Sequence, residues 1–118
     1  MNRYYDELAS LDREGFFVIV DKTWDDLAIR DCFDDSCHDI AELERKVNDG
    51  VYDWFMLRVR CLVDGHELGS AYLGGCMYED AHEVLTDGTA EDLIEQALIE
   101  ARSEARRLKE RLNELEVE

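Results

Sequence analysis

The stretch Val51–Tyr78, VYDWFMLRVRCLVDGHELGSAYLGGCMY, constrains the fold more than any other part of the chain. Two β-rich runs flank Asp64-Gly65, a dipeptide that supplies the positive φ angles of a type I′ turn. A two-residue loop pairs Val63 with His66, Cys61 with Leu68, Val59 with Ser70 and Leu57 with Tyr72. Side chains alternate along a strand, so Phe55, Leu57, Val59, Cys61 and Val63 share one apolar face that requires a cover. Met56, Arg58, Arg60 and Leu62 share the other, with Arg58 and Arg60 opposite Ala71 and Gly69. Gly74-Gly75 predicts a bulge or a close backbone approach at the strand end.

The flanking segments supply the rest of an α+β domain. Tyr4, Leu8 and Leu11 recur at helical spacing within residues 2–13, which predicts a short amphipathic helix ended by Gly15. The compact run Phe16–Val20 is a third strand beside the hairpin. Thr23 with Asp26 has capping-box spacing and predicts a helix carrying Trp24, Leu27, Ala28 and Cys32 inward, broken at Asp34-Asp35-Ser36. Ser36 with Asp39 repeats the arrangement and opens a helix with Ile40, Leu43 and Val47 inward, stopped by Asn48-Asp49-Gly50. Glu79–Leu85 forms a short helix before a turn at 86–89. The expected architecture is a single domain over residues 1–118: a three-stranded antiparallel sheet centred on the hairpin, helices packed on one face, and a long C-terminal helix.

That last helix runs from near Thr89 to Leu115. Ile94, Leu98, Ala101, Ala105, Leu108, Leu112 and Leu115 alternate steps of four and three, a heptad pattern with the apolar residues at a and d. Glu104 and Arg111 fall at g and Lys109 and Glu116 at e, so a parallel homodimer matches Glu104 with Lys109 and Arg111 with Glu116 of the second copy. About 26 residues at ~1.5 Å rise span roughly 39 Å, against about 33 Å for a ten-residue strand. Part of the C-terminal half is therefore expected to overhang the sheet.

Charge is the outlying number of the composition. Thirty acids stand against 13 bases, a formal net charge of −17, and Lys22, Lys46 and Lys109 are the only lysines. Such a surface repels nucleic acid and anionic membranes and attracts cationic partners. Residues 21–49 hold the densest acid, ten acids against four bases. No apolar run approaches a membrane span, and the first ten residues lack the apolar core of a secretory signal. Cys32, Cys37, Cys61 and Cys76 form no CxxC pair. These features predict the reduced thiols of a cytosolic protein.

No catalytic signature is present, and the expectation is a non-enzyme without cofactor or metal. Cys32, Cys37 and His38, with His66, Cys76 and His82 further on, lack the short regular ligand pairs of zinc sites. Cys37-His38 is not a dyad, because adjacent side chains diverge. Leu73-Gly74-Gly75-Cys76 lacks the following helix and the lysine of a phosphate loop. Asp31, Asp34, Asp35 and Asp39 lack the sixth-position glycine and terminal glutamate of an EF-hand.

The remaining feature is the acid itself. A compact chain of this length has a radius of gyration of roughly 13.5 Å and is about 35 Å across; duplex DNA of that length carries roughly 20 phosphates. The run GHELGSAYLGGCMYED, with the preceding YDWFMLRVR, resembles small acidic proteins carried by proteobacterial phages and mobile elements, among them anti-CRISPR and antirestriction proteins. The resemblance implies an inhibitor of a host defence complex. On this reading Asp25, Asp26, Asp31, Asp34, Asp35, Asp39 and Glu42, with Glu79, Asp80 and Glu83 as a second patch, engage the Lys/Arg-rich DNA-binding surface of a CRISPR effector or restriction enzyme as a DNA mimic. The competing expectation is a dimeric acidic interaction or regulatory module, in which the carboxylates serve solubility.

Overall fold

A computed structural model describes residues 4–34, 36 and 39–115. It is an α+β fold whose sheet has four strands in the meander order β1-β2-β3-β4, all antiparallel: Asp6–Arg13, Phe16–Trp24, Asp53–Val63 and His66–Tyr78. The helical segments are α1 (Ile29–Cys32), α2 (Ile40–Asn48), a 3₁₀ turn (Ala81–Leu85) and α3 (Thr89–Asn113).

The first strand replaces the N-terminal helix that the Tyr4, Leu8, Leu11 spacing predicts. Glu14 and Gly15 both adopt positive φ (55° and 88°), as Asp64 and Gly65 do (50° and 82°), so each hairpin closes on a tight turn of the I′ kind. A register shift between Glu7 and Ala9 breaks the two-residue alternation. Ala9 and Leu11 then pair with Val20 and Val18 and face the core, while Leu8 falls in the bulge.

The central hairpin starts in the expected register at Val63–His66 and slips by one residue between Cys61 and Leu62. Cys61 thus faces Gly69, Val59 faces Ala71, Arg60 faces Ser70 and Arg58 faces Tyr72. The slip has a steric reason. A Cβ on Gly69 would lie 2.4 Å from the Ala97 carbonyl oxygen and 2.9 Å from the Ala101 Cα, so only glycine lets α3 lie this close to β4.

The core is one layer between α3 and the sheet. Val18, Val20, Leu57, Val59 and Cys61 meet Leu93, Ile94, Ala97, Leu98 and Ala101. Trp54 points to the face opposite Phe55 and nucleates a second cluster with Ile29 and Val47, flanked by Phe33, Leu43, Tyr52 and Met77. The Trp54 indole N–H donates to the Leu27 carbonyl (3.0 Å). Helices therefore cover both faces of the sheet, α3 one and α1–α2 one end of the other, where a single covered face was expected.

The helix expected after Thr23 is reduced to the four residues of α1. Thr23 and Trp24 continue β2 instead, opposite Met56 and Phe55. Trp24, Leu27, Ala28 and Cys32 are consequently exposed, and Ile29 is the residue turned inward. The second helix follows its pattern: Asp39 is the N-cap, Ile40 and Val47 are buried, and Leu43 is half-buried. Ser36 is not its cap.

Candidate functional site: a groove between two acidic segments

Segments that carry the two acidic patches of the sequence contribute to one groove of about 480 Å³, whose lining is uncharged: Phe33, Leu43, Tyr52, Met77, Tyr78 and Thr89 together with the bulged strand 73–76. Asp34 follows Phe33, Glu42 and Glu44 flank Leu43, and Glu79 follows Tyr78. Asp87 accepts a hydrogen bond from the Tyr78 hydroxyl (2.6 Å). This bond pushes the Tyr78 phenol up and holds the Asp87 carboxyl below its ordinary range. Residues 25–49 carry nine acids and three bases, and residues 79–87 carry four acids and neither lysine nor arginine.

Individual residues take different places around it. Asp25 is 6% exposed and is a structural group, not a surface one. Its carboxylate accepts from the Leu27 N–H (2.9 Å) and the Gly75 N–H (2.6 Å), pinning the β4 bulge to the β2–α1 connection. A buried carboxylate needs such donors, and here they are backbone amides. Asp26, Asp31 and Asp34 are exposed, with Asp34 accepting from the Ser36 N–H. Asp39 accepts from the Glu42 N–H (3.2 Å). Glu42 is paired with Arg45, which lowers its pKa. Glu79 and Glu83 are exposed, and Asp80 caps the 3₁₀ turn through the His82 N–H, which lowers its pKa. Asp35, Cys37 and His38 lie outside the described residues, as does Glu116.

The heptad stripe divides. Ile94, Leu98 and Ala101 are fully occupied in the core and Ala105 packs against it, so these four cannot also serve a coiled-coil partner. Leu108 is half-buried, and Leu112 and Leu115 are 59% and 45% exposed. The overhang stretches the molecule to 63 × 29 × 23 Å, with a radius of gyration of 17.8 Å. Duplex DNA 63 Å long carries roughly 37 phosphates. The mean charge per length is thus less than half that of DNA, against the parity expected for a compact globule.

Sequence reading missed a second polar cluster on the sheet face away from α3. Asp21 is 3% exposed and receives two hydrogen bonds from Arg58 (2.8 and 2.6 Å), with Arg60 at 3.5 Å. The Tyr5 ring stacks on the Arg58 guanidinium, 3.4 Å from its central carbon. The signal was present, since Asp21 closes an apolar run that would pair with a strand carrying two arginines on the face away from its apolar one. Among the described residues eight arginines sit in ion pairs, which leaves the excess acid at the surface.

Among the described residues no three metal-ligating side chains converge, and none of the described helices is long and apolar enough to cross a membrane. No protein-family model matches the chain, and no curated protein or solved structure matches it either.

Proposed function

We propose that the chain is a non-enzymatic inhibitor that presents the acidic groove to the Lys/Arg-rich DNA-binding surface of a host defence complex, a CRISPR effector or a restriction enzyme. The observation that carries this reading is that Phe33 and Leu43 from the 25–49 acidic segment line one groove with Tyr78, next to the 79–87 acids, although residues 50–78 separate the two segments in sequence. Rigid elements hold them: α2, the β4 bulge and the 3₁₀ turn. Partner cations meet carboxylates at the rim, and the apolar floor of Phe33, Leu43 and Tyr52 accepts their aliphatic stems. Asp25 contributes by fixing the bulge.

The test is expression in bacteria that carry defined CRISPR or restriction systems, followed by phage plating or plasmid interference. Loss of interference with the wild type, and its return with Asp26→Asn, Asp34→Asn, Glu79→Gln and Glu83→Gln combined, is the expected outcome. Unimpaired interference across the panel contradicts the reading. The overhang of α3 favours a second reading, a self-associating acidic interaction module with no DNA mimicry, which predicts no effect on any defence system.

A further inference from the structure

The two edges of the sheet are guarded differently. β1 carries Asp6, Glu7, Asp12 and Arg13 among its eight residues and is bulged at Leu8. Charges and bulges of this kind keep an edge strand from pairing with another chain. β4, the opposite edge, lacks the charges. Residues 68–78 contain no Asp, Glu, Lys or Arg, eleven consecutive positions in a chain that is 36% charged; the next longest such run, residues 15–20, has six.

The open part of this edge is residues 69–73. They pair with β3 without a break, from Gly69 opposite Cys61 to Leu73 opposite Leu57. Every second residue of such a strand turns its N–H and C=O away from the sheet. Among the described residues no backbone group outside the sheet bonds to them. Past Leu73 the edge closes, because the Leu73 carbonyl accepts from the Cys76 thiol and Asp25 holds the Gly75 N–H. Tyr72 and Leu73 are exposed. Acid frames the whole stretch: residues 61–101 hold ten acids and neither lysine nor arginine, and Glu67 and Glu79, which bound the uncharged run, are exposed. Arg58 and Arg60 on the neighbouring strand are turned to Asp21 of β2.

We propose that the β4 edge at residues 69–73 docks an extended segment of a partner protein, which adds a fifth strand to the sheet. Backbone hydrogen bonds supply the pairing. The centre of the segment is uncharged, as the edge is, and lysine or arginine at its ends is drawn to the surrounding acid. A second copy of this chain does not fit. α3 follows β4 from Thr89, bonded to Tyr78, to Ala97 and Ala101 over Gly69. Pairing two β4 strands about 4.8 Å apart brings two such helices inside the ~8–10 Å between axes that packed helices need. The β1 edge of a second copy is charged and bulged. The proposal stands apart from the inhibitor reading, because strand addition is measured without any defence complex.

The experiment titrates the isotope-labelled full chain with a short synthetic peptide of alternating threonine and valine, lysine at each end. Amide shifts and hydrogen exchange are followed by NMR. Two control peptides replace a central valine by proline, which removes a backbone donor, or both lysines by glutamate. The lysine peptide is expected to shift the amides of residues 69–73, to slow exchange of those turned away from β3, and to bind more weakly as salt is raised. Each control is expected to bind at least about tenfold more weakly. Equal binding by the proline peptide would reduce the effect to charge attraction without strand pairing and overturn the proposal. So would equal binding by the glutamate peptide, shifts that avoid residues 69–73, or no binding of the lysine peptide at millimolar concentration. Concentration-dependent protection of the same amides in the chain alone would give the edge to a second copy and overturn it as well.

Discussion

The Asp25 carboxylate reaches 50 residues along the chain to accept the Gly75 N–H at 2.6 Å, and this bond ties the acidic α1–α2 segment to the bulge of β4. The side chain is almost fully buried, so its removal leaves two backbone amides without their acceptor. A charged hydrogen bond of this kind is worth about 1.5–3 kcal/mol. Asp25→Ala is expected to lose about 3 kcal/mol in urea unfolding, and Asp25→Asn, which keeps one acceptor, less. An unchanged unfolding midpoint in the alanine variant would remove the bulge clamp from the account.

Gly69 sets how closely α3 lies on the sheet. With a Cβ contact of 2.4 Å to backbone, neither side can yield by rotating a side chain. Gly69→Ala is expected to cost about 3 kcal/mol or more, the upper range of overpacking. Gly65→Ala meets open space and is strained only by its positive φ, at about 1 kcal/mol. Thermal melts of the two variants should differ accordingly.

Asp21 compensates Arg58 and Arg60 on the sheet face away from α3. Asp21→Ala strands two partly buried guanidiniums and is expected to cost about 3–5 kcal/mol, as breaking a buried pair does. Replacing Asp21 and Arg58 together by Val and Met should recover part of that loss, because an apolar pair needs no compensating charge. The double-mutant cycle by urea unfolding separates the two costs.

Burial pushes the Cys61 and Cys76 thiols up to about 11 from an ordinary value near 9. Both therefore stay neutral and shielded at pH 8, whereas Cys32, whose thiol is also pushed up by desolvation and by the nearby Asp25 and Asp31 carboxylates, is exposed and open to the reagent. Peptide mapping after brief iodoacetamide treatment should find Cys61 and Cys76 unlabelled until urea is added. The unfolded thiols ionise first as pH rises past 9, so stability present below pH 9 declines toward pH 11.

Much of the fold was legible. The Asp64-Gly65 turn, the apolar face of β3, the Gly74-Gly75 bulge, α2 and the long α3 follow from turn chemistry and periodicity. The N-terminal strand was not, because a bulge at Leu8 gave three apolar residues an accidental helical spacing, and because Glu14 takes a positive φ usually left to Asn, Asp or Gly. Thr23 has a capping residue's identity, but pairing with Met56 holds it in the sheet. For the candidate site, sequence misplaced Asp25 among surface groups. A buried Asp and an exposed one look alike in sequence until their donors are known, and here the donor lies 50 residues away.

The most direct measurement is displacement of target DNA from a CRISPR effector or restriction enzyme that the chain inhibits in cells. It is titrated with wild type and with the variant neutralised at Asp26, Asp34, Glu79 and Glu83, in ~50 mM and ~300 mM salt. The proposed groove predicts that wild type competes with DNA at low salt, that high salt weakens it by at least about tenfold, and that the neutralised protein, folded by its unfolding curve, loses the competition. Equal displacement by both proteins, unaffected by salt, would contradict it.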